Sequence, residues 1–266
     1  MSGRITLGQQ GAVARVTLCH RPRFNAMSRL MWRQLRAIFE NLQRSTELRC
    51  VVIAGESGNF CSGGDISEYA DFRFQEASLR DFHENEVWGG LQAMLDCDVP
   101  IVAQIDGNCM GAGMEIASCC DIRLASEAAR FGAPIARLGF PMAPREAALV
   151  AREAGRATVR QMLLEAAIFS AAAMQGQGFL SRVVEPARLM AEVEATVRRI
   201  TELAPQAARL NKQTLRALLG GPAPVEDHPC RVESIAAQAN MAYAYADSAE
   251  HREGIRAFLE KRKPQF

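Results

Sequence analysis

The chain has 266 residues, 48% apolar and 23% charged, proportions typical of soluble globular proteins. They exclude a disordered tail, a collagen and a coiled-coil rod. With 31 Lys and Arg against 30 Asp and Glu, and 6% aromatics, the sequence carries neither the charge nor the stacking surface expected of a nucleic-acid binder.

The N-terminal MSGRITLGQQ has no apolar signal core. No apolar run reaches the roughly 20 residues of a membrane span, and residues 263–266 carry no targeting signal. A cytoplasmic protein with no membrane partner is expected. The cysteines, at 19, 50, 61, 97, 109, 119, 120 and 230, form no C-x-x-C pair, which argues against structural zinc. Their apolar neighbours predict buried free thiols, as in a reducing compartment.

In chain order, residues 15–19 read as a strand. Residues 28–43 read as a helix, with Leu30, Met31, Leu35, Ile38, Phe39 and Leu42 at helical spacing and Ser28 as its cap. The apolar run 50–54 predicts a buried strand, ended by Gly55-Glu56-Ser57-Gly58-Asn59. Residues 78–95 read as one helix, 99–105 as a second buried strand, 110–119 as a short helix and 121–124 as a third strand. This strand–helix alternation argues for an α/β fold with parallel strands. The second half reads as mostly helical, over 145–153, 157–164, 189–203, 205–219 and 226–261. Gly220-Gly221-Pro222-Ala223-Pro224 is its one linker. Two regions are expected: residues 1–204 as the core and 205–266 as a helical appendage.

Two glycine clusters each follow a strand: Phe60-Cys61-Ser62-Gly63-Gly64-Asp65-Ile66 and Gly107-Asn108-Cys109-Met110-Gly111-Ala112-Gly113-Met114-Glu115. Small residues admit a ligand close to backbone N–H groups, and two converging donors can hold an oxyanion. A dinucleotide fingerprint at the second cluster fails because Ile116 stands where Gly or Ala is needed. A cysteine nucleophile elbow centred on Cys109 fits in outline, but His228 and His251 lie in polar helical segments.

The segments together resemble the enoyl-CoA hydratase/isomerase (crotonase) superfamily. Arg21-Pro-Arg-Phe-Asn25-Ala26-Met27, Val51-Val-Ile-Ala-Gly55, both glycine clusters, Pro100-Ile-Val-Ala-Gln-Ile-Asp-Gly107, Cys120-Asp-Ile-Arg123-Leu-Ala125, Phe131-Gly132-Ala-Pro134 and the closing Ser248–Arg262 segment follow in order over nearly the whole chain. The resemblance implies a crotonase-like spiral of ββα turns followed by a C-terminal helical oligomerisation region, forming a homotrimer or a dimer of trimers. It implies an acyl-CoA substrate, no metal, and no cofactor beyond the coenzyme A of the thioester.

By motif position, the N–H groups of Gly64 and Ala112 would form the oxyanion hole. Ala112 replaces a glycine common there, but the donor is main chain. Arg23, Ala26, Ser62, Asp65, Ile66, Phe258 and Lys261 would contact CoA. Glu115 matches the first of the two glutamates of the family's hydratases, the one that activates water. The second belongs directly after Phe-Gly-x-Pro, where this chain has Ile135; relatives that place an acid two helical turns later would have it at Ala143. His83, Glu84 and Glu86 are candidate substitutes, and Ile135, Leu138, Phe140 and Met142 candidate acyl-pocket walls. A hydratase/lyase is the first expectation. A decarboxylase, a thioester hydrolase and a catalytically silent acyl-CoA binder are the alternatives.

Overall fold

The computed structural model describes residues 3–219 and 243–266. The chain opens with an antiparallel hairpin, β1 (Arg4–Gln10) and β2 (Val13–Cys19). α1 (Arg29–Gln43) follows, with the Ser28 hydroxyl accepting from Met31 N–H, a standard N-cap. Then come β3 (Cys50–Gly55), α2 (Glu76–Asp81), α3 (Trp88–Asp96), β4 (Ile101–Ile105), β5 (Asn108–Met110), α4 (Ala112–Ser118), β6 (Ile122–Ser126) and β7 (Arg130–Gly132). The second half holds α5 (Pro144–Ala154), α6 (Arg156–Leu164), β8 (Ile168–Ser170), α7 (Ala171–Gly176), β9 (Arg182–Val184), α8 (Leu189–Thr201), α9 (Pro205–Leu219) and α10 (Ala249–Leu259).

The larger sheet has the order β1-β2-β3-β4-β6-β9, parallel from β2 onward. Its two faces explain the unbroken apolar runs. Val51 and Ile53 of β3 face the main core, which includes Trp32, Leu35, Phe39, Leu91 and Met94 of α1 and α3. Cys50 and Val52, with Val102 and Leu124, face Leu189, Val193, Val197 and Ile200 of α8. A strand covered on both sides has no polar face to alternate with. The smaller sheet, β5-β7-β8, carries the second glycine turn.

Several expectations are corrected. The N-terminal strand β1 was not foreseen: only Ile5 of its seven residues is buried, so it shows no apolar period. The mostly helical second half contains β8 and β9, which, like β7 before them, are three residues long and too short to leave one. The single helix expected at 78–95 is three segments, with a π-helical turn at Phe82–Val87 between α2 and α3. All seven described cysteines are free and buried. Cys230 and His228 lie outside the described residues, as do residues 226–242 of the helix expected at 226–261; in its described part residues 243–247 form a turn and only α10 is helical.

Candidate active site

Backbone pairing locks the two glycine turns side by side. Cys61 N–H donates to Asn108 O and Met110 N–H to Cys61 O, each at 2.8 Å. On the other flank Met27 N–H donates to Gly63 O and Asp65 N–H to Met27 O, also at 2.8 Å. Gly111, at φ +48°, then turns the chain directly into α4. Only glycine takes that conformation without strain. A Cβ on Gly113 would lie 2.6 Å from Cys61 O, so its absence lets α4 sit against the first turn.

The result is two free donors. Ala112 is the first residue of α4, and the first intrahelical bond belongs to Glu115, whose N–H reaches Gly111 O at 3.1 Å. The N–H groups of Gly64 and Ala112 have no acceptor among the described residues. Both residues line a cavity of about 480 Å³. The buried guanidinium of Arg123 donates to Ala117 O and Cys120 O, where cations favour a helix end, and so anchors the far end of α4.

Glu115 lies one helical turn beyond Ala112 and lines the same cavity. Among the described residues no arginine pairs with it. Its neighbour is a second carboxyl, Glu146 of α5, and burial first and the Glu146 charge second push the Glu115 carboxyl up to about 8. A buried carboxyl facing another negative charge holds its proton.

Glu146 is the acid that sequence reasoning missed. It is 2% exposed, and its Oε1 lies 3.0 Å from His83 Nδ1. In sequence it looks like an ordinary acid in a first helical turn. The available signal was its spacing to Leu149 and Val150, both buried, which places it on the inward face of α5.

The three proposed substitutes separate. His83 lines the cavity. Glu84 pairs with Arg145 at 3.2 Å and is half exposed. Glu86 is held by Arg29 and Arg33 at 2.6 and 3.0 Å. Ile135, Leu138, Phe140, Met142 and Ala143 line the cavity.

A further unforeseen wall is Tyr69. Its hydroxyl lies against Gly64, leaving no room for a Cβ there, and burial pushes it up to about 12. The Arg73 guanidinium lies 4.3 Å from the Tyr69 ring centroid and 3.9 Å from that of Phe140.

The expected CoA contacts divide in the same way. Ser62 and Ile66 line the cavity, and Ser62 Oγ donates to Arg23 O at 2.7 Å, which brings exposed Arg23 to the rim. Ala26 is buried. The Asp65 carboxylate is not a free ligand: its Oδ1 accepts from Ser67 N–H at 3.1 Å and Ser67 Oγ at 2.6 Å and caps the turn that follows. Phe258 and Lys261 stand exposed on and just after α10, outside the cavity of their own chain.

The cysteine-elbow alternative fails. Cys109 is fully buried inside β5, and burial pushes its thiol well above the ordinary range. An inaccessible, protonated thiol is no nucleophile.

Comparison with known proteins agrees with this geometry. The family model described as Enoyl-CoA hydratase/isomerase matches residues 8–266. A probable enoyl-CoA hydratase of Mycobacterium bovis is 28% identical over 94% of this chain and 93% of its own. A short-chain-enoyl-CoA hydratase of Clostridium acetobutylicum is 28% identical over 97% and 95%. The crystal structure of an enoyl-CoA hydratase/carnitine racemase from Magnetospirillum magneticum superposes with a TM-score of 0.89 at 35% identity, covering 98% of this chain and 94% of that one. The clamped pair of turns, the free donors and the full-length match make this chain a member of the enoyl-CoA hydratase/isomerase family.

Proposed function

We propose that this acyl-CoA-processing enzyme is a lyase that hydrates a 2-enoyl-CoA through a thioester enolate. One observation carries the reading: two acceptor-free backbone donors, on Gly64 and Ala112, open into the cavity that Glu115 lines with its proton retained. The donors would bind the thioester oxygen as charge builds on it. Such fixed dipoles are worth most where water is excluded, and each removed donor typically costs about 3–4 kcal/mol of barrier. Glu115 would supply the proton transfer, worth about 10²–10⁴ in rate. Arg23, Ala26, Ser62 and Ile66 would flank the CoA, with the backbone of Asp65 beside them. Phe258 and Lys261 would serve only the site of a neighbouring subunit.

Decarboxylation fits less well. It would bring a substrate carboxylate toward Glu115, where the neighbouring Glu146 already adds negative charge, and like charges repel. Turnover of crotonyl-CoA, an aryl-acyl-CoA and a malonyl-type thioester tests the choice. Hydration of crotonyl-CoA is expected, and CO₂ release from the malonyl-type thioester without any hydration would overturn it.

Restoring the glutamate found in the family's hydratases should help little. In Ile135→Glu a third carboxyl would enter the wall formed with Leu138 and Phe140. Burial and the two acids already present would keep it neutral. Crotonyl-CoA hydration is expected to rise by no more than about twofold, against the 10² or more of a well-placed second acid. A rise above about tenfold would mean that the site works as a two-glutamate hydratase lacking only this group.

The same reading includes a homo-oligomer. Leu203, Leu215, Leu218, Ile255, Phe258 and Leu259 are large apolar side chains more than half exposed on α9, α10 and their flanks. Clustered apolar surface marks an interface. Sedimentation at micromolar concentration should give a trimer or a hexamer, and a monomer would contradict it.

A further inference from the structure

The position of the second hydratase glutamate is apolar, yet hydration needs two proton movements. Besides Glu115, the cavity lining holds Arg73, Arg137, the Tyr69 hydroxyl, which burial pushes up to about 12, and one imidazole, that of His83, the side-chain type suited to proton exchange near neutral pH. His83 sits in the π-helical turn Phe82–Val87, an extra residue inserted into what the sequence reads as a regular helix. Such turns recur at functional sites because they re-aim side chains that a regular helix would place elsewhere.

The imidazole lines the cavity and keeps 21% of its surface exposed. Nδ1 lies 3.0 Å from Glu146 Oε1, and Glu146 is only 3% exposed at the side chain. The adjacent Arg145 is turned away, toward Glu84 and over the Trp88 ring. His83 is therefore the one hydrogen-bond partner of a buried carboxylate among the described residues. A carboxylate that accepts from Nδ1–H fixes the tautomer and leaves Nε2 as a bare acceptor. Nε2 has no partner among the described residues.

We infer that His83, oriented by Glu146, is the second proton-handling group of this site, and that it makes up for the glutamate absent at position 135 with the roles exchanged. His83 serves the water and Glu115, which holds its proton, serves Cα. This rests on the hydratase reading above. Water loses a proton to His83 Nε2 as its oxygen bonds to Cβ. The Cα=Cβ pair moves into the thioester, giving an enolate held by the N–H groups of Gly64 and Ala112. The enolate takes the Glu115 proton at Cα and the thioester carbonyl re-forms. The imidazolium then returns one proton, through solvent, to the Glu115 carboxylate. One water is added, and nothing is oxidised or reduced. His83 is the catalytic residue of the pair and Glu146 a positioning residue.

The test uses the full-length enzyme with crotonyl-CoA and longer 2-enoyl-CoA thioesters. His83→Ala is expected to lower kcat about 10²–10⁴-fold, with KM changed less than about threefold, because a group acting on the water adds little to ground-state binding. Added imidazole should restore at least about tenfold of the His83→Ala rate and none of the Glu115→Gln rate, since a diffusible base replaces only the missing ring. Glu146→Gln should lower kcat while leaving KM near wild type. The double variant should be no slower than His83→Ala, as expected for residues that act as a unit. Glu84→Gln, on the neighbouring surface pair, should stay within about twofold of wild type.

If either buried-side variant folds poorly, His83→Gln carries the same kcat expectation with less loss of volume. A His83→Ala enzyme at the wild-type kcat, or a loss that imidazole does not rescue, overturns the assignment while the hydratase reading stands. A wild-type enzyme that hydrates none of these thioesters overturns both.

Discussion

Glu115→Gln is expected to lower turnover of the true thioester by about 10²–10⁴-fold while leaving its affinity nearly unchanged. The amide keeps the shape of the side chain and one accepting oxygen but cannot exchange a proton. Isothermal titration with a non-reactive acyl-CoA and steady-state rates separate the two quantities. A variant that turns over at the wild-type rate would remove Glu115 from the mechanism and favour decarboxylation.

The same substitution should make the protein more stable, because the amide has no ionisation for burial to oppose. In the folded chain the Glu115 carboxyl is raised from its ordinary 4.5 to about 8. Below about pH 4.5 both folded and unfolded chains hold the proton and the group costs nothing. As the pH rises the unfolded chain ionises and the folded one does not, so stability is lost until the pH passes about 8. At pH 7 the deficit is on the order of 3 kcal/mol, from 1.36 kcal/mol per unit. Glu115→Gln has no such dependence, so its advantage in denaturant midpoint should grow between pH 5 and pH 8. An equal difference at both values would mean that Glu115 is not held neutral. Activity follows the same proton: kcat/KM that needs the acid form should fall as the pH rises through about 8.

What could be read in advance follows from how each feature is written in sequence. β3 and β4 were legible because strands buried on both faces are continuous apolar runs. α1 was legible because its stripe and its Ser28 cap agree. The clamped glycine turns were legible as a pair, since each follows a strand and both are built of small residues. The π-helical turn was not, because Phe82, Val87, Trp88 and Leu91 are as compatible with a regular helix as with the inserted residue. Glu146 was missed for a related reason. The spacing to Leu149 and Val150 marks its inward face, but that this face meets α4 and Glu115 is a contact between distant segments that no local pattern records. Asp65 shows a short-range role that sequence does record: its carboxylate accepts from Ser67 N–H and Oγ, as the Asp-x-Ser spacing suggests.

Ala112→Pro removes one oxyanion donor and leaves the helix intact, so it tests the site without touching an acid or a base. Residue 112 is the first residue of α4, where a proline is tolerated because its nitrogen serves no intrahelical bond. The first such bond, from Glu115 N–H to Gly111 O, is unaffected, and the preceding residue is a glycine without a Cβ to meet the ring. The lost N–H is the one that opens into the cavity, and the proline Cδ would take its place. The expected loss is about 10²–10³ in kcat, the range for one donor, with the circular dichroism and melting curve retained. Ala112→Gly supplies the contrast: it changes the side chain and keeps the donor, so its rate should stay within about fivefold of wild type. A proline variant that matches the glycine variant would place the thioester oxygen away from residue 112, and the enolate would then need a different pair of donors. A proline variant slowed to the level of Glu115→Gln, beside an active glycine variant, would show that the backbone dipole and the carboxyl act on one transition state.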